Sequence, residues 1–488
     1  MSLRSVLSKT LVVAFLFALL TAGAADRISP ITGQPQFAPV NPAFEKYMAD
    51  RARGLVQVFT DDGHRLGYIP PPLKLPAVDV EAAGLLNELT APPASYDLRT
   101  SAGVTAVRDQ DNCGSCWTFA TFASMESYLK FVKGSTRDFA EQDMNANHGF
   151  YWPECEGGNH SMSTAVLARW RGPFNEADVP YPYTSFGNIQ AATAQKHVQD
   201  VWFLPDRTSY TANTTIKNAI MANGAIYTTF YWNLTYYNAT KRSYCCPGAY
   251  DSNHAVAIIG WNDNYAKANF KNVPAGNGAF LIRNSWGTSW GNSGYFWMSY
   301  YDHSLGDFTQ FLNAEPTTVL DKIYQYDPYG WINSWGYGDN VAYGANIFTA
   351  STAANHNKIK GVSFYTPVPN STISILIYKN TTGTNPTSGT KVGATVTKTI
   401  AHAGYNTVRF TSPYVVTAGK KFSVIVKFTT PGYTYPVPVE QYWDNYAEKV
   451  TALNGQSFLG HTVSSWIDMN ATYPSQKPNI CIKAFAGD

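Results

Sequence analysis

Apolar positions fall into three successive patterns along the chain. The first is a continuous apolar run over residues 11–20, preceded by Arg4 and Lys9 and followed by Ala22, Ala24 and Ala25. A basic start, a short apolar core and a small-residue A-x-A site predict a secretory signal peptide over residues 1–24. The run is too short for a membrane span, which needs about 20 apolar residues. The second pattern occupies the middle of the chain. Trp117, Phe119, Phe122, Met125, Tyr128 and Leu129 recur at helical spacing and predict a central core helix, with a shorter helix over 216–221. Apolar runs over 225–231, 255–260, 279–283 and 294–299 read as strands. The third pattern begins near Pro316. There Ile373, Ile375 and Ile377, then Val408 and Phe410, then Phe422, Val424, Val426 and Phe428 alternate with polar residues. Turn clusters such as residues 380–386 separate these runs, and helical periodicity is nearly absent. Residues 316–488 are therefore expected to form an all-β sandwich.

Between the leader and the middle region, residues 25–93 are rich in proline and polar side chains. One helix is expected around 43–53. Residues 66–72 should be extended, because Pro70, Pro71 and Pro72 block helix and favour polyproline II. At 488 residues the chain exceeds one ordinary core. A net charge of +2 with 14% charged residues argues against a polyanionic partner. No phosphate loop or nucleic-acid motif occurs, and no metal-ligand set of suitable spacing, so no cofactor, no metal and no nucleic acid are expected. The leader and the lack of a second long apolar segment predict a soluble, exported protein; a monomer is expected.

Candidate chemistry centres on Gln110, Cys113, Cys116 and Trp117, in the run QDNCGSCW. Cys116 opens the expected central helix. A helix start offers unpaired backbone N–H groups and the positive end of the dipole, and both favour the nucleophilic thiolate. His254 stands at the mouth of an apolar strand, and Asn284 precedes a Trp/Gly-rich turn. A CxxC pair alone also fits a redox site or half a zinc site, but no second CxxC or CxxH follows.

With QDNCGSCW, ECEGG, NHAVAIIGW and RNSWGTSWGNSGY in order, the chain resembles a papain-family (C1-type) cysteine peptidase. His254 lies 138 residues after Cys116, inside the family's range of about 130–150. Asn284 lies 168 residues after it, an excess that fits an insertion in the polar loop 262–278. The resemblance implies an α+β fold: a two-lobed peptidase domain over 94–315, one lobe helical and one β-barrel-like, with the cleft between them. It implies Cys116 as nucleophile, His254 as the proton carrier resting as imidazolium, Asn284 as the residue that orients it, and Gln110 as an oxyanion donor. Trp286 would cover the His254–Asn284 bond. Gly157, Gly158, Asn159, His160 and Ala255 would line the substrate site, with Asn159 and His160 making its pocket more polar than usual. The family pairing implies a Cys113–Cys155 disulfide, although Asn147 sits where a further family cysteine is usual. Cys245, Cys246 and Cys481 can form a vicinal ring, a bridge to Cys481, or buried thiols. Residues 25–93 are then either an inhibitory propeptide or a retained arm.

The third region resembles the lectin-like domain that follows papain-type domains in some secreted prokaryotic peptidases, which implies a glycan or cell-surface ligand. Tyr324, Tyr326, Tyr329, Trp331, Trp335 and Tyr337 can stack on sugars or, more ordinarily, fill the sandwich core or the inter-domain seam. The reading is a secreted cysteine endopeptidase acting on polypeptides, since no loop resembles the carboxylate-binding insertion of exopeptidase relatives. The alternatives are an adhesion protein on a papain-like scaffold, and a transpeptidase or cell-wall amide hydrolase using the same acyl-enzyme.

Overall fold

The helix Cys116–Phe131 is buried along its whole length from Cys116 to Leu129. Its apolar spacing predicts one buried face; it is enclosed on all sides because it runs between two cores. Trp117, Phe122, Met125 and Leu129 join a core built with the helices Glu141–Asn147 and His160–Ala168. Ala123 meets a second core of strand residues that includes Ile258, Trp261 and Ile282. The polar residues of the helix are matched rather than solvated. Ser124 Oγ donates to the Ala225 carbonyl at 2.8 Å. Glu126 accepts from Thr105 Oγ1 at 2.6 Å and from the Phe139 N–H at 2.8 Å.

The computed structural model describes residues 33–77, 91–182 and 192–487. The expected signal peptide lies outside them. Among the described residues no helix is long and apolar enough to cross a membrane. The expected helices appear as Pro42–Ala52 and Thr214–Asn223. The expected strands appear as Ile226–Phe230, His254–Asn262, Ala279–Arg283 and Tyr295–Ser299. They pair antiparallel in that order within one 13-stranded sheet.

That sheet does not stop where the peptidase-like region ends. The strand Gly306–Glu315 pairs with both Ile226–Phe230 and His197–Phe203. His197–Phe203 then pairs with Ala403–Val415, through Ala403–Phe203, Gly404–Trp202 and Tyr405–Val201. Lys358–Thr366 and Ile482–Ala486 carry the sheet onward. The C-terminal sandwich packs this extension against a six-stranded sheet that includes Val341–Thr349, Ser371–Lys379 and Lys421–Thr429. The two regions thus share a sheet rather than a linker, which periodicity along the chain cannot reveal.

Trp335, Tyr337, Tyr324 and Trp331 are buried, and Tyr326 and Tyr329 pack partly buried against the cores. The aromatic cluster therefore fills core and seam. Cys245, Cys246 and Cys481 are buried free thiols, so neither the vicinal ring nor the bridge to Cys481 forms.

The seam also buries charge. Lys483 Nζ lies 2.7 Å from Asp327 Oδ2, both essentially inaccessible. Beside them Glu440 accepts from the Tyr329 N–H at 2.6 Å and from Asn479 Nδ2 at 2.7 Å. Burial and the neighbouring Asp327 push its carboxyl up to about 8. Between pH 7 and 8.5 the folded state therefore keeps a proton that the unfolded chain has already lost. Stability must fall as pH rises through that window. The buried His148, His197, His254 and His402, all held well below the ordinary imidazole value, offset part of this fall, because the unfolded imidazoles lose their last protons just above pH 7. A loss of about 1 kcal/mol is expected from Glu440 alone. Thermal melts at pH 7.0 and 8.5 should show a lower Tm at the higher pH, with the difference reduced in Glu440→Gln. An equal slope in that variant would count against the assignment.

Candidate active site

Cys116 is the first residue of its helix, with Ser115 before it making no side-chain cap bond. Its sulfur meets the backbone amides of Ala255, Gly67 and Trp117 and its own, all of which favour the thiolate. Burial outweighs them and pushes the thiol up to about 12. Cys113, one turn earlier, is bonded to Cys155, which ties the helix entry to the Gly157–Gly158 loop. A Cβ on Gly158 would lie 2.5 Å from the Trp117 ring, so only glycine lets this loop approach the helix.

His254 begins the strand His254–Asn262 and is fully buried. Its Nε2 lies 2.8 Å from Asn284 Oδ1. That same oxygen accepts the Ser285 N–H at 2.9 Å, which fixes it as the acceptor atom. The imidazole hydrogen therefore sits on Nε2 and leaves Nδ1 as the basic nitrogen. Nδ1 has no hydrogen-bond partner among the described residues. Trp286 stacks on the ring at 4.6 Å and 22°. Burial lowers the imidazole to about 4, against the Asn284 hydrogen bond, and His64 lowers it further. With the cleft covered, burial disfavours the charged form of each group, and with it the thiolate–imidazolium pair that the resemblance implies.

The cover is the N-terminal arm. The helix Pro42–Ala52 is capped by Asn41, which accepts the Ala43 N–H, and its Arg51 reaches Glu156 at 2.6 Å. The extended segment that follows enters the cleft. His64 stacks on Trp286 at 4.5 Å and 6°. The Arg65 carbonyl accepts from Gln110 Nε2 at 2.9 Å. Gly67 and Ile69 pair with Gly158: Gly158 N–H donates to the Gly67 carbonyl at 2.9 Å, and Ile69 N–H to the Gly158 carbonyl at 3.0 Å. Tyr68 N–H donates to the Asn253 carbonyl at 3.2 Å.

Gln110 is held on both sides of its amide. Nε2 also donates to the Cys113 carbonyl at 2.8 Å, and Oε1 accepts from Ser285 Oγ at 2.6 Å. Asn159 serves as the N-cap of His160–Ala168, accepting the Met162 N–H at 2.9 Å. Its Nδ2 donates to the Ile69 carbonyl and to Tyr446 Oη at 3.0 and 3.1 Å. It is thus taken up by capping, the arm and the sandwich rather than open to a pocket. His160 does line a cavity, and Ala255 is buried beside His254. Sequence reasoning missed Ser285, Tyr181 and Asp307. Tyr181 Oη donates to the Gln110 carbonyl at 2.6 Å from 71 residues away. Only Ser285, inside the RNSWG run, carried a local signal.

Comparison with known proteins agrees with this geometry. Residues 92–310 match the papain family cysteine protease profile, and residues 323–486 match the lectin-like domain profile. A cysteine protease of Blomia tropicalis is 28% identical over 234 residues, which are 46% of this chain and 66% of that protein. Cysteine proteinase 3 of Entamoeba histolytica is 29% identical over 262 residues, 52% of this chain and 77% of its own length. The chain thus spans about two thirds to three quarters of these relatives. The crystal structure of the cysteine protease and lectin-like domains of Cwp84, a surface layer associated protein of Clostridium difficile, superposes with a TM-score of 0.78 at 25% identity. It covers 94% of this chain and 99% of its own. The clostridial protease after propeptide cleavage gives 0.70 at 26% identity, over 80% and 98%.

Proposed function

From the premise that this chain carries a papain-family cysteine protease domain followed by a lectin-like domain, we propose that it is an exported cysteine endopeptidase, latent while residues 58–73 occupy the cleft. The observation that carries the reading is the His254 ring, held through Nε2 by Asn284 and left with Nδ1 as its basic nitrogen.

Once the arm leaves, water and substrate reach the cleft, and the burial that keeps both groups neutral is relieved. Cys116 passes its proton to His254 Nδ1 and its sulfur attacks the scissile carbonyl carbon. The resulting oxyanion is held by Gln110 Nε2, the group that now donates to the Arg65 carbonyl. His254 returns the proton to the leaving amine, the C–N bond breaks, and an acyl-enzyme remains. Water, deprotonated by His254, attacks the thioester; the acid product leaves and the thiol is restored. Asn284 keeps the ring in the one tautomer that serves both transfers, and Trp286 shields the bond between them.

Two further features support the reading. The Cwp84 neighbour is described after propeptide cleavage and as surface layer associated, which favours residues 25–93 as a removable segment and export through the leader. A glycan ligand for the lectin-like region would need surface other than the buried aromatic cluster.

Gln110→Ala is expected to lower kcat by about 10²–10³ in the arm-free enzyme, the usual cost of one oxyanion donor. Steady-state kinetics on a cleaved library peptide would check it, and a change of less than threefold would remove Gln110 from the mechanism. Peptide-library cleavage by the reduced protein tests the function itself: internal cuts are expected, while ligation products alone or no cleavage would favour the transpeptidase or scaffold readings.

A further inference from the structure

The stretch from Asn340 to Val439 holds nine Lys and Arg residues and no Asp or Glu, in a chain whose net charge is only +2. The whole-chain balance conceals this segregation. Folding then gathers five of the nine at one end of the C-terminal sandwich. Lys379 ends its strand opposite Phe422, next to Lys421, and Thr390 pairs with it from the other side, next to Lys391. Thr349 faces Lys421, and the Ala350 N–H donates to the Lys420 carbonyl at 3.0 Å. Lys358 opposes Val415, the last residue of Ala403–Val415. The first residues of that strand pair with the peptidase region, so the lysine end lies about 33 Å along the strand from that junction.

Lys358, Lys391, Lys420 and Lys421 are exposed and Lys379 is half-exposed. In the same stretch Arg409 pairs with Glu315, but none of these five lysines forms an ion pair among the described residues. Asp321 and Asp468 flank this end and are already engaged. Asp321 lies 3.3 Å from His356 Nε2, and Asp468 caps Met469–Thr472 and accepts the Gly455 N–H at 2.6 Å. Lys421 Nζ lies against Gly383, in the hydroxyl-rich loop 380–390, where Thr382 Oγ1 donates to Ser388 Oγ at 3.1 Å.

Like charges gathered in this way repel one another, and the fold supplies no carboxylate to offset them. A chain of anions offsets them and gains further by releasing its own counterions. The lysines are point charges on separate strands and loops rather than a closed cradle, so they suit anions repeated along a polymer better than one small ion. No aromatic side chain between residues 340 and 439 is exposed, so this end lacks the stacking surface that single-stranded nucleic acids use. The Thr and Ser hydroxyls beside Lys421 suit a hydroxyl-bearing chain.

We propose that this end of the sandwich docks a long anionic polysaccharide, a hydroxyl-bearing polymer with repeated carboxylate or phosphodiester groups. The assignment goes beyond the endopeptidase reading and does not depend on it.

The test measures binding of the full-length chain to labelled polygalacturonate, poly(glycerol phosphate), neutral dextran and oligothymidylate of similar length, by fluorescence anisotropy. Affinity for one or both anionic polymers is expected to fall about tenfold or more between about 50 and 200 mM salt, with none for dextran. The tighter of the two identifies the anion as carboxylate or phosphodiester. The combined substitution Lys379→Gln, Lys391→Gln and Lys421→Gln should weaken binding about tenfold or more and flatten its salt dependence. Lys133→Gln, Lys271→Gln and Lys449→Gln together make the same charge change at exposed positions elsewhere and should leave binding within about twofold. Binding to neither anionic polymer, equal binding to dextran, equal losses in the two variants, or tighter binding of oligothymidylate than of either anionic polymer would each overturn the assignment.

Discussion

Cys116→Ala should leave the arm-free protein folded and lower its peptide turnover by a factor on the order of 10⁶, the scale seen when the nucleophile of an acyl-transfer enzyme is removed. No neighbour can replace the sulfur. The amides of Ala255, Gly67 and Trp117 favour a thiolate at that atom, and His254 Nδ1 has no hydrogen-bond partner among the described residues. The fold should survive because Cys116 is outside the disulfide, and alanine removes one atom from a helix that otherwise keeps its contacts. Circular dichroism melts and kcat on one library peptide, measured side by side, check both halves. Turnover within tenfold of the native enzyme would refute nucleophilic catalysis by this residue.

Gly67→Val should activate the uncleaved chain. At Gly67 a Cβ would lie 2.1 Å from the Gly114 carbonyl oxygen and 2.6 Å from Gly114 Cα. Both are backbone atoms, and Gly114 cannot retreat easily because its own N–H donates to the Cys155 carbonyl at 3.0 Å inside the disulfide-closed loop. The arm is the movable partner. Overpacking of this kind costs about 1–3 kcal/mol, so the open fraction should rise about five- to 150-fold. Initial rates on a small peptide would read the gain, and faster proteolysis within residues 58–73 would report the displaced arm. Unchanged rates with the arm still protected would mean that the loop yields instead.

The parts of this molecule legible in the sequence are those fixed by local pattern. The helical spacing of Trp117 to Leu129 and the apolar runs at 279–283 and 294–299 announce their elements, because burial of one face dictates the period. The segments holding His254 and Asn284 pointed to residues that the fold does bring together, and the backbone of Ala255, next to His254, meets Cys116. What stayed hidden depends on contacts distant in sequence. The Val201–Phe203 pairing with Ala403–Tyr405 spans some 200 residues and leaves no trace in either strand's pattern. Asn159 resembled pocket polarity but is held by the helix it caps and by Tyr446 of the sandwich. Asp307 sits in no motif, and its partner Tyr68 comes from the N-terminal arm, 239 residues earlier. The extended character of residues 66–72 was readable from three prolines, yet whether they fill the cleft or hang free depends on Gly67, Gly114 and Gly158 meeting backbone to backbone.

One measurement bears most directly on a sulfur–imidazole site covered by its own N-terminal arm. The full-length protein and the Gly67→Val chain are each treated at pH 7 with a peptidyl vinyl sulfone, and adducts are located by mass mapping. The account requires a single adduct at Cys116 that forms at least about five times faster in Gly67→Val, with the buried Cys245, Cys246 and Cys481 untouched. Equal rates in the two chains, or modification of those thiols in place of Cys116, would contradict it.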